Sequence, residues 1–434
     1  MPRSTLRISL GMLIGLLVAA SLACKGTASS SSKEAWEFSH DPGPLAVDPS
    51  NLAHLDTSIE DSGAVYDPDL LKQYYSRRFD ELPLTGHLDA VPWASTYWPS
   101  LEGGIAAPWN RMDASGDQKK AHTKDLRRQA QTFKIYSESE IRLMSPRELA
   151  ALSPAHKYEI YIGDFSFPGV TWERQRTSIA SEEWEGLCDG WASAALNFHA
   201  PKAVVLIGKS GITVPFGASD VEALLTYYQS KIYRDNKKTR ASATSWRKVA
   251  VGGRCREDLN KTSEQAIANA SECKGVNAGS FHIILGNRIG LNKMGVVIDV
   301  TRGKEVWNQP VYSYRSKILK KHDHVYASAA AGTQKMIEVE TEIHYTQESD
   351  THWHSLGAQN KDYLVKATYR YALELNKDNE IIGGEWLSWE RPDYVVHRMK
   401  PPAFDGAIGH WEAIGEIYEK SLQVEQEPKN PVGH

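Results

Sequence analysis

Cys188 is the residue of this sequence best placed to do chemistry, and it lies in the run EEWEGLCDGWASAAL. Trp191, Ala195 and Phe198 follow it at helical spacing on one face, so we expect a helix with Cys188 in its first turn. The helix dipole and the free backbone N–H groups at that position favour a thiolate, the form that attacks acyl groups. The pattern therefore predicts a nucleophilic cysteine, and a buried inert thiol is the alternative.

A nucleophilic cysteine needs a base that is itself held in place by a third group. His282 lies in GSFHIILGNRIGLNKMGVVIDV, which predicts a strand over 281–285, a turn, and an antiparallel partner strand over 294–300. Asp299 is the one acidic residue in GVVIDV and could orient the imidazole. We predict Cys188 as nucleophile, His282 as base and Asp299 as the orienting residue. The alternative for Asp299 is that it ends its strand and caps a turn with Thr301.

Three further residues are candidates for contacts with a substrate or an oxyanion. Trp184 could line the acyl pocket or donate its indole N–H to an oxyanion, and core packing is the alternative. Trp191 is a second candidate wall, and Asn308 in EVWNQP could orient the base in place of Asp299. The histidine pairs in HDH at 322–324 and HWH at 352–354 have no neighbouring cluster of Cys or His. We therefore expect solvated loops there and no metal site.

Composition narrows the class of protein. The 434 residues are 41% hydrophobic and 24% charged, which is typical of a globular chain with two lobes or one large domain. A formal net charge of -4 offers no basic field, so nucleic-acid binding is excluded. Cys255 and Cys273 lie in a polar stretch, where a disulfide would stabilise the fold by roughly 3 kcal/mol. Cys188 would then be the unpaired thiol of the folded domain.

The first 23 residues have the pattern of an export signal. Arg3 and Arg7 precede an apolar run at 10–20 that is too short to span a bilayer. SLAC, ending at Cys24, is similar to a bacterial lipobox, in which the cysteine takes a lipid. We expect a lipoprotein of the outer membrane or cell surface, with a secreted or periplasmic protein as the alternative. Residues 24–60 then form a Ser-rich tether.

The rest of the chain divides into three parts by composition. Residues 61–150 are rich in Trp and Pro, and Trp93, Trp98 and Trp109 are expected to anchor loops there. This region could act as a pro-like lobe. Residues 151–420 are predicted to form the catalytic domain, and residues 421–434 form a polar tail that we expect to fray.

Local patterns predict the elements of that domain. Ser145, Ser153 and Ser219 are predicted helix caps. AVVLIGKSGITVPF at 203–216 predicts a hairpin with a Lys-Ser-Gly turn. Alternating apolar residues predict strands at 335–346 and 365–375, and a turn at 376–379 leads into another strand. Together they predict an α+β fold in which the nucleophile helix packs on an antiparallel sheet.

Several sequence blocks, some of them with Trp, together resemble the transglutaminase elicitor family, which comprises oomycete-type transglutaminases and their bacterial relatives. The blocks are, in order, EEWEGLCDGWASAAL, FGASDVEALLTYY, GSFHIILGNRIG followed by EVWNQPV, and LNKDNEIIGGEWLSWERPDY. The resemblance implies a papain-like core and acyl transfer from protein glutamine. It assigns nucleophile, histidine and acidic partner to Cys188, His282 and Asp299, and the pair Cys255–Cys273 fits the cysteines that the family carries.

The resemblance also implies a reaction and its partners. Glutamine would be joined to lysine or another primary amine, with deamidation as a side reaction. The partners would be a peptide or protein glutamine donor and an amine acceptor. The protein would be a monomer that needs no organic cofactor and contacts a membrane only through its N-terminal lipid. Activation by calcium is left open. Asp189 stands where the family commonly has His, and a carboxylate there would raise the pKa of the thiol. A cysteine peptidase or amidase on the same core and a catalytically weakened recognition protein are the alternatives.

Overall fold

The computed structural model describes residues 75–112, 115–117, 133–235, 248–258, 273, 275–322, 324–398 and 406–433. The predicted export signal, Cys24 and the tether at 24–60 lie outside these ranges. Within the ranges, no helix combines the length and the apolar composition needed to cross a bilayer.

Strands dominate the second half of the described chain. They are β1 (Thr85–His87), β2 (Val204–Ile207), β3 (Thr213–Phe216), β4 (Lys248–Gly252), β5 (Val296–Asp299), β6 (Asn308–His322), β7 (Lys335–Thr346), β8 (Leu364–Leu375), β9 (Ile381–Trp386) and β10 (Tyr394–Arg398). The large sheet has the order β4, β10, β5, β6, β7, β8, β9, with β1 paired to β6. All of its pairs are antiparallel, which confirms the predicted sheet.

The predicted strands fall where alternation is strongest. β7 has the predicted bounds and β8 begins one residue earlier than predicted, because apolar residues alternate along both strands. The turn into β9 is held by the Asn376 side chain, whose Oδ1 accepts the N–H groups of Asp378 and Glu380 at 2.9 Å each. β2 and β3 form the predicted hairpin, with Val204 opposite Phe216.

Most of the α-helices in the described ranges lie in the first half of the chain. They are α1 (Glu138–Leu143), α2 (Pro146–Ala150), α3 (Pro154–Ile162), α4 (Pro168–Arg176), α5 (Cys188–Asn197), α6 (Ala218–Asp235), α7 (Ala278–Leu285) and α8 (Ile414–Leu422). Ser145 and Ser153 cap α2 and α3 as predicted. The predicted cap at Ser219 is wrong, because α6 already begins at Ala218 and the Asp220 carboxylate accepts the Gly217 N–H at 2.7 Å.

The strand predicted over 281–285 is wrong, because these residues lie in α7. A continuous apolar run fits a buried helix as well as a buried strand, so periodicity could not separate the two. Asn277 caps α7 by accepting the Gly279 N–H at 2.8 Å. The predicted turn is also wrong, because the chain continues as a π-helix over Gly286–Leu291.

The large sheet curls around α7. One apolar cluster joins α7 to Val251 of β4 and to Ile381 of β9, which belong to opposite edges of the sheet. Close approach to β9 requires glycine, since a Cβ on Gly279 would lie 2.6 Å from the Gly383 carbonyl oxygen. The face of the sheet that bears this cluster is therefore filled by α7.

A second apolar core joins the N-terminal region to the helices. Trp93, Trp98 and Trp109 are buried in one cluster with residues of α3, α5 and α6, so the predicted anchoring role is confirmed. The described part of 61–150 therefore shares a core with 151–420. The predicted fraying of the tail is wrong, because Val432 is buried and the Glu427 carboxylate accepts the Ala203 N–H at 2.7 Å.

Contact between α5 and α6 depends on Gly190. A Cβ at this position would lie 2.4 Å from the Thr226 carbonyl oxygen of α6, so a methyl group would push the helices apart. We expect Gly190→Ala to destabilise the fold by about 2 kcal/mol, the cost typical of overpacking, as measured by urea unfolding. Gly253→Ala is the matched control, since its Cβ would meet open space. Equal unfolding midpoints for the two variants would contradict this packing.

Candidate functional site

Cys188 begins α5, as predicted, and Leu187 is the N-cap residue. The chain enters this turn through a bond from the Leu187 N–H to the Tyr97 carbonyl oxygen at 2.6 Å. Cys188 is the free cysteine of the described residues, and only 6% of its surface is exposed. The local fold therefore places one unpaired, buried thiol at a helix N-terminus.

Two groups from one segment contact the Cys188 sulfur. The Asn308 Nδ2 donates a hydrogen bond to Sγ at 3.4 Å, and the thiol donates to the Val306 carbonyl oxygen at 3.7 Å. Asn308 opens β6, and Val306 belongs to the connector that leads into it. Asn308, which the sequence offered as an alternative orienter, is thus in direct contact with the sulfur.

The sheet lines up a row of polar residues beneath the start of α5. Asp299 of β5 lies opposite Asn308 of β6, and Val297 lies opposite Val396 of β10. Val297 and Val396 pack with Ala192 of α5, so this face of the sheet meets the nucleophile helix. Because side chains alternate along a strand, Asp299, Asn308 and Tyr394 lie on that same face.

Burial holds the thiol in its protonated form. Burial, together with the Asp189 and Glu348 carboxylates and against the hydrogen bond from Asn308, raises the pKa of Cys188 to about 12. Burial of the thiol thus opposes the predicted thiolate, since desolvation outweighs the helix dipole. The pKa of Tyr394 also stands well above its ordinary value, through burial and then the negative charges of Asp299 and Cys188.

Asp299 performs the turn-capping role that was the alternative interpretation. Its Oδ1 accepts hydrogen bonds from Thr301 Oγ1 at 3.0 Å and from the Trp307 N–H at 3.0 Å. Its Oδ2 is buried and has no hydrogen-bond partner. Burial, reinforced by the nearby Asp393, raises the pKa of Asp299 to about 8.

The structure does not bring His282 to Cys188. The His282 ring lies in α7, where Nδ1 bonds to the Tyr371 hydroxyl at 2.8 Å and Nε2 is buried without a partner. α7 packs on the Val296 and Ile298 face of β5, whereas α5 packs on the opposite face. The predicted pairing of His282 with Asp299 on neighbouring strands is therefore corrected: a sheet separates them. Burial lowers the pKa of His282 to about 4 and keeps it neutral.

The two predicted tryptophan walls have different surroundings. Trp191 is fully buried in the helical core, and its indole N–H donates to the Trp93 carbonyl oxygen at 3.3 Å. Its predicted place beside an acyl group is corrected to core packing. Trp184 is half-buried, and the Arg254 guanidinium lies 4.7 Å from the centre of its ring. The Trp184 indole nitrogen is buried without a hydrogen-bond partner.

The remaining predicted sites are simple to place. Cys255 and Cys273 form the predicted disulfide. His322 and His352 bond to Glu338 and Glu222 at 2.7 and 3.0 Å. In the ranges that the structure describes, no group of three or more His, Cys, Asp or Glu residues could hold a metal ion.

Tyr394 and Val306 are the members of the site that the sequence interpretation missed. The run DYVV carries a signal for Tyr394, since alternation puts Tyr394 and Val396 on one face of a strand. Nothing in the sequence distinguishes Val306, which takes part through its backbone carbonyl oxygen.

The raised pKa of Asp299 predicts a pH-dependent stability. The native state binds this proton more tightly than the unfolded chain, so the stability it contributes is present at acidic pH and is lost as pH rises through about 8. Asp299→Asn retains the Oδ1 acceptor and abolishes the titration. We expect the melting temperature of the variant, relative to wild type, to rise between pH 5 and pH 9. Asp89→Asn, at an exposed position, is the control, and parallel pH curves for Asp299→Asn and wild type would contradict the assignment.

Comparison with known proteins identifies a family and a fold. The family model described as "Transglutaminase elicitor" matches residues 70–406. Among solved structures, the GP42 transglutaminase from Phytophthora sojae superposes with a TM-score of 0.52 and 20% sequence identity, covering 79% of this chain and 93% of that chain. At this identity the likeness shows a shared fold. No curated protein matches the sequence.

Proposed function

Because the chain belongs to the transglutaminase elicitor family, we propose that it is a cysteine acyltransferase whose Cys188 thiol attacks the carboxamide of a protein glutamine. The observation that carries the proposal is the thiol itself, which stands at the first residue of α5 and accepts the Asn308 amide N–H. Packing of α5 against an antiparallel sheet supports a papain-like core. The solved structure with the same fold bears the name of a transglutaminase.

The proposed reaction has two steps. The carbon–sulfur bond forms as the carbon–nitrogen bond of the carboxamide breaks, and the thiol proton leaves with ammonia. The thioester on Cys188 then reacts with a primary amine, such as a lysine, to give an isopeptide bond and regenerate the thiol. Water in place of the amine gives glutamate. The Asn308 amide supports the first step by donating to the sulfur as negative charge builds there.

A proton carrier is needed between the thiol and the leaving nitrogen. We propose Asp299 for this role, since its Oδ2 has no hydrogen-bond partner and its pKa of about 8 lets it hold and release a proton near neutral pH. Asp299 lies opposite Asn308 on the face of the sheet that α5 covers. In this proposal Asp299 takes the proton-transfer role that the sequence analysis assigned to the His282 imidazole.

The position of His282 gives a discriminating prediction. We expect His282→Gln to lower the melting temperature, because the ring packs against Phe79 and bonds to Tyr371. The folded variant should retain amine-incorporating activity within about threefold of wild type, a range that one lost general base would far exceed. The rates of amine incorporation by the variant and by wild type are compared at a temperature below the melting transition of both. Complete loss of activity in a variant with native-like melting would restore His282 to the site.

The proposal extends to setting and partners. The substrates would be a glutamine-bearing protein or peptide and a primary amine, and no organic cofactor takes part. The mature protein would be an exported monomer held at a membrane by a lipid on Cys24.

A second candidate is a surface recognition protein with weakened catalysis. The pKa of about 12 for the Cys188 thiol favours it, as does the absence of an imidazole bonded to the sulfur among the described residues. A cysteine peptidase or amidase would share the acyl-enzyme step with the transferase.

Incubation of the mature chain with a glutamine-bearing peptide and a labelled primary amine tests the proposal. Incorporation of the label with release of ammonia is expected. Peptide cleavage without incorporation would support the hydrolase. The absence of both incorporation and cleavage would support the recognition protein.

A further inference from the structure

The connector between β5 and β6, residues 300–307, lies across the Cys188 thiol, and we call it the strap. Its Val306 carbonyl oxygen accepts a hydrogen bond from the Cys188 thiol, with the oxygen 3.7 Å from Sγ. Only 6% of the surface of Cys188 is exposed. A carboxamide carbon must come within about 3 to 3.5 Å of the sulfur before it can react. The buried sulfur, in contact with the strap, has little surface open to such a group.

The inner side of the strap is anchored beside the disulfide. The Arg302 Nη2 donates to the Cys273 carbonyl oxygen at 3.2 Å. The Asp393 carboxylate accepts the Cys255 N–H at 2.7 Å and also interacts with the backbone N–H of Gly303. Both cysteines of the disulfide are buried, so this anchor is a fixed point of the fold.

The outer side of the strap is held by contacts of Arg254 and Lys304, and the Lys304 N–H also donates to the Glu257 carbonyl oxygen at 3.0 Å. The Arg254 Nη2 donates to the Lys304 carbonyl oxygen at 2.6 Å, while its guanidinium lies over the Trp184 ring. The Lys304 Nζ lies 3.5 Å from a Glu182 carboxylate oxygen. Glu182 and Trp184 belong to the segment that leads into Cys188. Arg254 and Lys304 therefore join the strap to the segment that precedes Cys188, and we call these two residues the latch.

The contrast between the two sides shows which one can open. Contacts of the inner anchor are buried, whereas Arg254 and Glu182 are exposed. Exposed contacts between charged groups are weak and are readily exchanged for water. An extended peptide that competes for Trp184 and for the Lys304 carbonyl oxygen would displace the latch directly.

We propose that the strap is a lid over Cys188. The latch of Arg254 and Lys304 holds it closed, and it must lift before an acyl group can reach the sulfur. This inference rests on the proposed function for its purpose, because the lid would regulate the acyl-transfer site. Its geometry stands on the contacts of the strap alone. The closed lid makes the protein latent and keeps an amide substrate out until the latch is released.

Alkylation of Cys188 by iodoacetamide in the intact mature chain, followed by peptide mass mapping at fixed pH, tests the lid without any substrate. We expect Arg254→Ala to react about tenfold faster than wild type, the factor expected for loss of one hydrogen bond to a charged donor. Arg147→Ala, at an exposed arginine on α2, is the matched control and should react at the wild-type rate.

Glu182→Gln provides a second variant in case Arg254→Ala unfolds. It is isosteric and exposed, and loss of its ion pair with Lys304 should accelerate alkylation about twofold to threefold, as expected for an exposed pair. Wild-type rates in Glu182→Gln and in folded Arg254→Ala would overturn the lid. Faster alkylation without any amine incorporation would uphold the lid and reject the acyltransferase instead.

Discussion

Cys188→Ser is expected to reduce amine incorporation by about 10⁴-fold or more, the loss typical when the nucleophile of a covalent mechanism is removed. Serine fits the same space and can still accept the Asn308 N–H, so the fold should persist. A hydroxyl at a buried position is far less acidic than a thiol and cannot form the acyl intermediate at a useful rate. Initial rates with a labelled amine and a glutamine peptide give the comparison.

The control for this variant is thermal unfolding. A melting temperature within a few degrees of wild type shows that the rate was lost through chemistry. Residual activity within tenfold of wild type in a folded Cys188→Ser variant would contradict a nucleophilic role for Cys188. An unfolded variant would identify the thiol as a structural group.

The second large effect concerns a buried ion pair far from the thiol. Lys157 of α3 and Asp220 of α6 are both fully buried, with Nζ and Oδ2 2.6 Å apart. The Asp220 carboxylate also accepts the Trp109 indole N–H at 2.8 Å. Burial lowers the pKa of Lys157 and raises that of Asp220, while each charge opposes the shift of the other. The pair therefore joins α3 to α6 and, through Asp220, to Trp109.

Lys157→Met should destabilise the protein by about 3 to 5 kcal/mol, because it leaves a buried carboxylate without its cation. Without Lys157, the raised pKa of Asp220 should rise further, so acidification should restore part of the loss by protonating the carboxyl group. Urea unfolding at pH 5 and pH 8 measures both effects.

Lys134→Met is the matched control, since Lys134 forms an exposed pair with Glu140 at 2.9 Å. It should cost at most about 0.5 kcal/mol, as exposed ion pairs do. The double variant Lys157→Met/Asp220→Asn should be more stable than Lys157→Met alone. Equal stability of Lys157→Met and Lys134→Met would contradict the importance of the buried pair.

The sequence predicted secondary structure correctly wherever its apolar residues followed a clear strand or helix periodicity. Apolar residues alternate along β7 and β8, and this alternation predicted both strands almost to the residue. The start of α5 was predicted because small and aromatic residues recur at helical spacing behind Cys188. These are local patterns, and tertiary contacts reinforce them.

The error at His282 has a different origin. Residues 281–285 are apolar on every side, so they fit any fully buried element, and their capping residue Asn277 is a weak signal alone. The helix is selected by long-range packing inside the curl of the sheet, against strands far along the chain. A sequence pattern does not contain that information.

The candidate site was half predictable. Cys188, Asn308 and Asp299 were named from the sequence, and they meet on one face of β5 and β6. The closed state was not predicted, because it depends on a backbone carbonyl oxygen of the strap and on burial. Neither has a sequence signature.

Trapping the acyl intermediate tests the central claim most directly. The mature chain would be incubated with a glutamine peptide in the absence of amine, quenched in acid and mapped by mass spectrometry. We predict that the Cys188 peptide gains the mass of the glutamine peptide less ammonia, and that added amine discharges it. An unmodified Cys188 under conditions in which the same preparation incorporates amine, or an acyl group on another residue, would contradict the assignment.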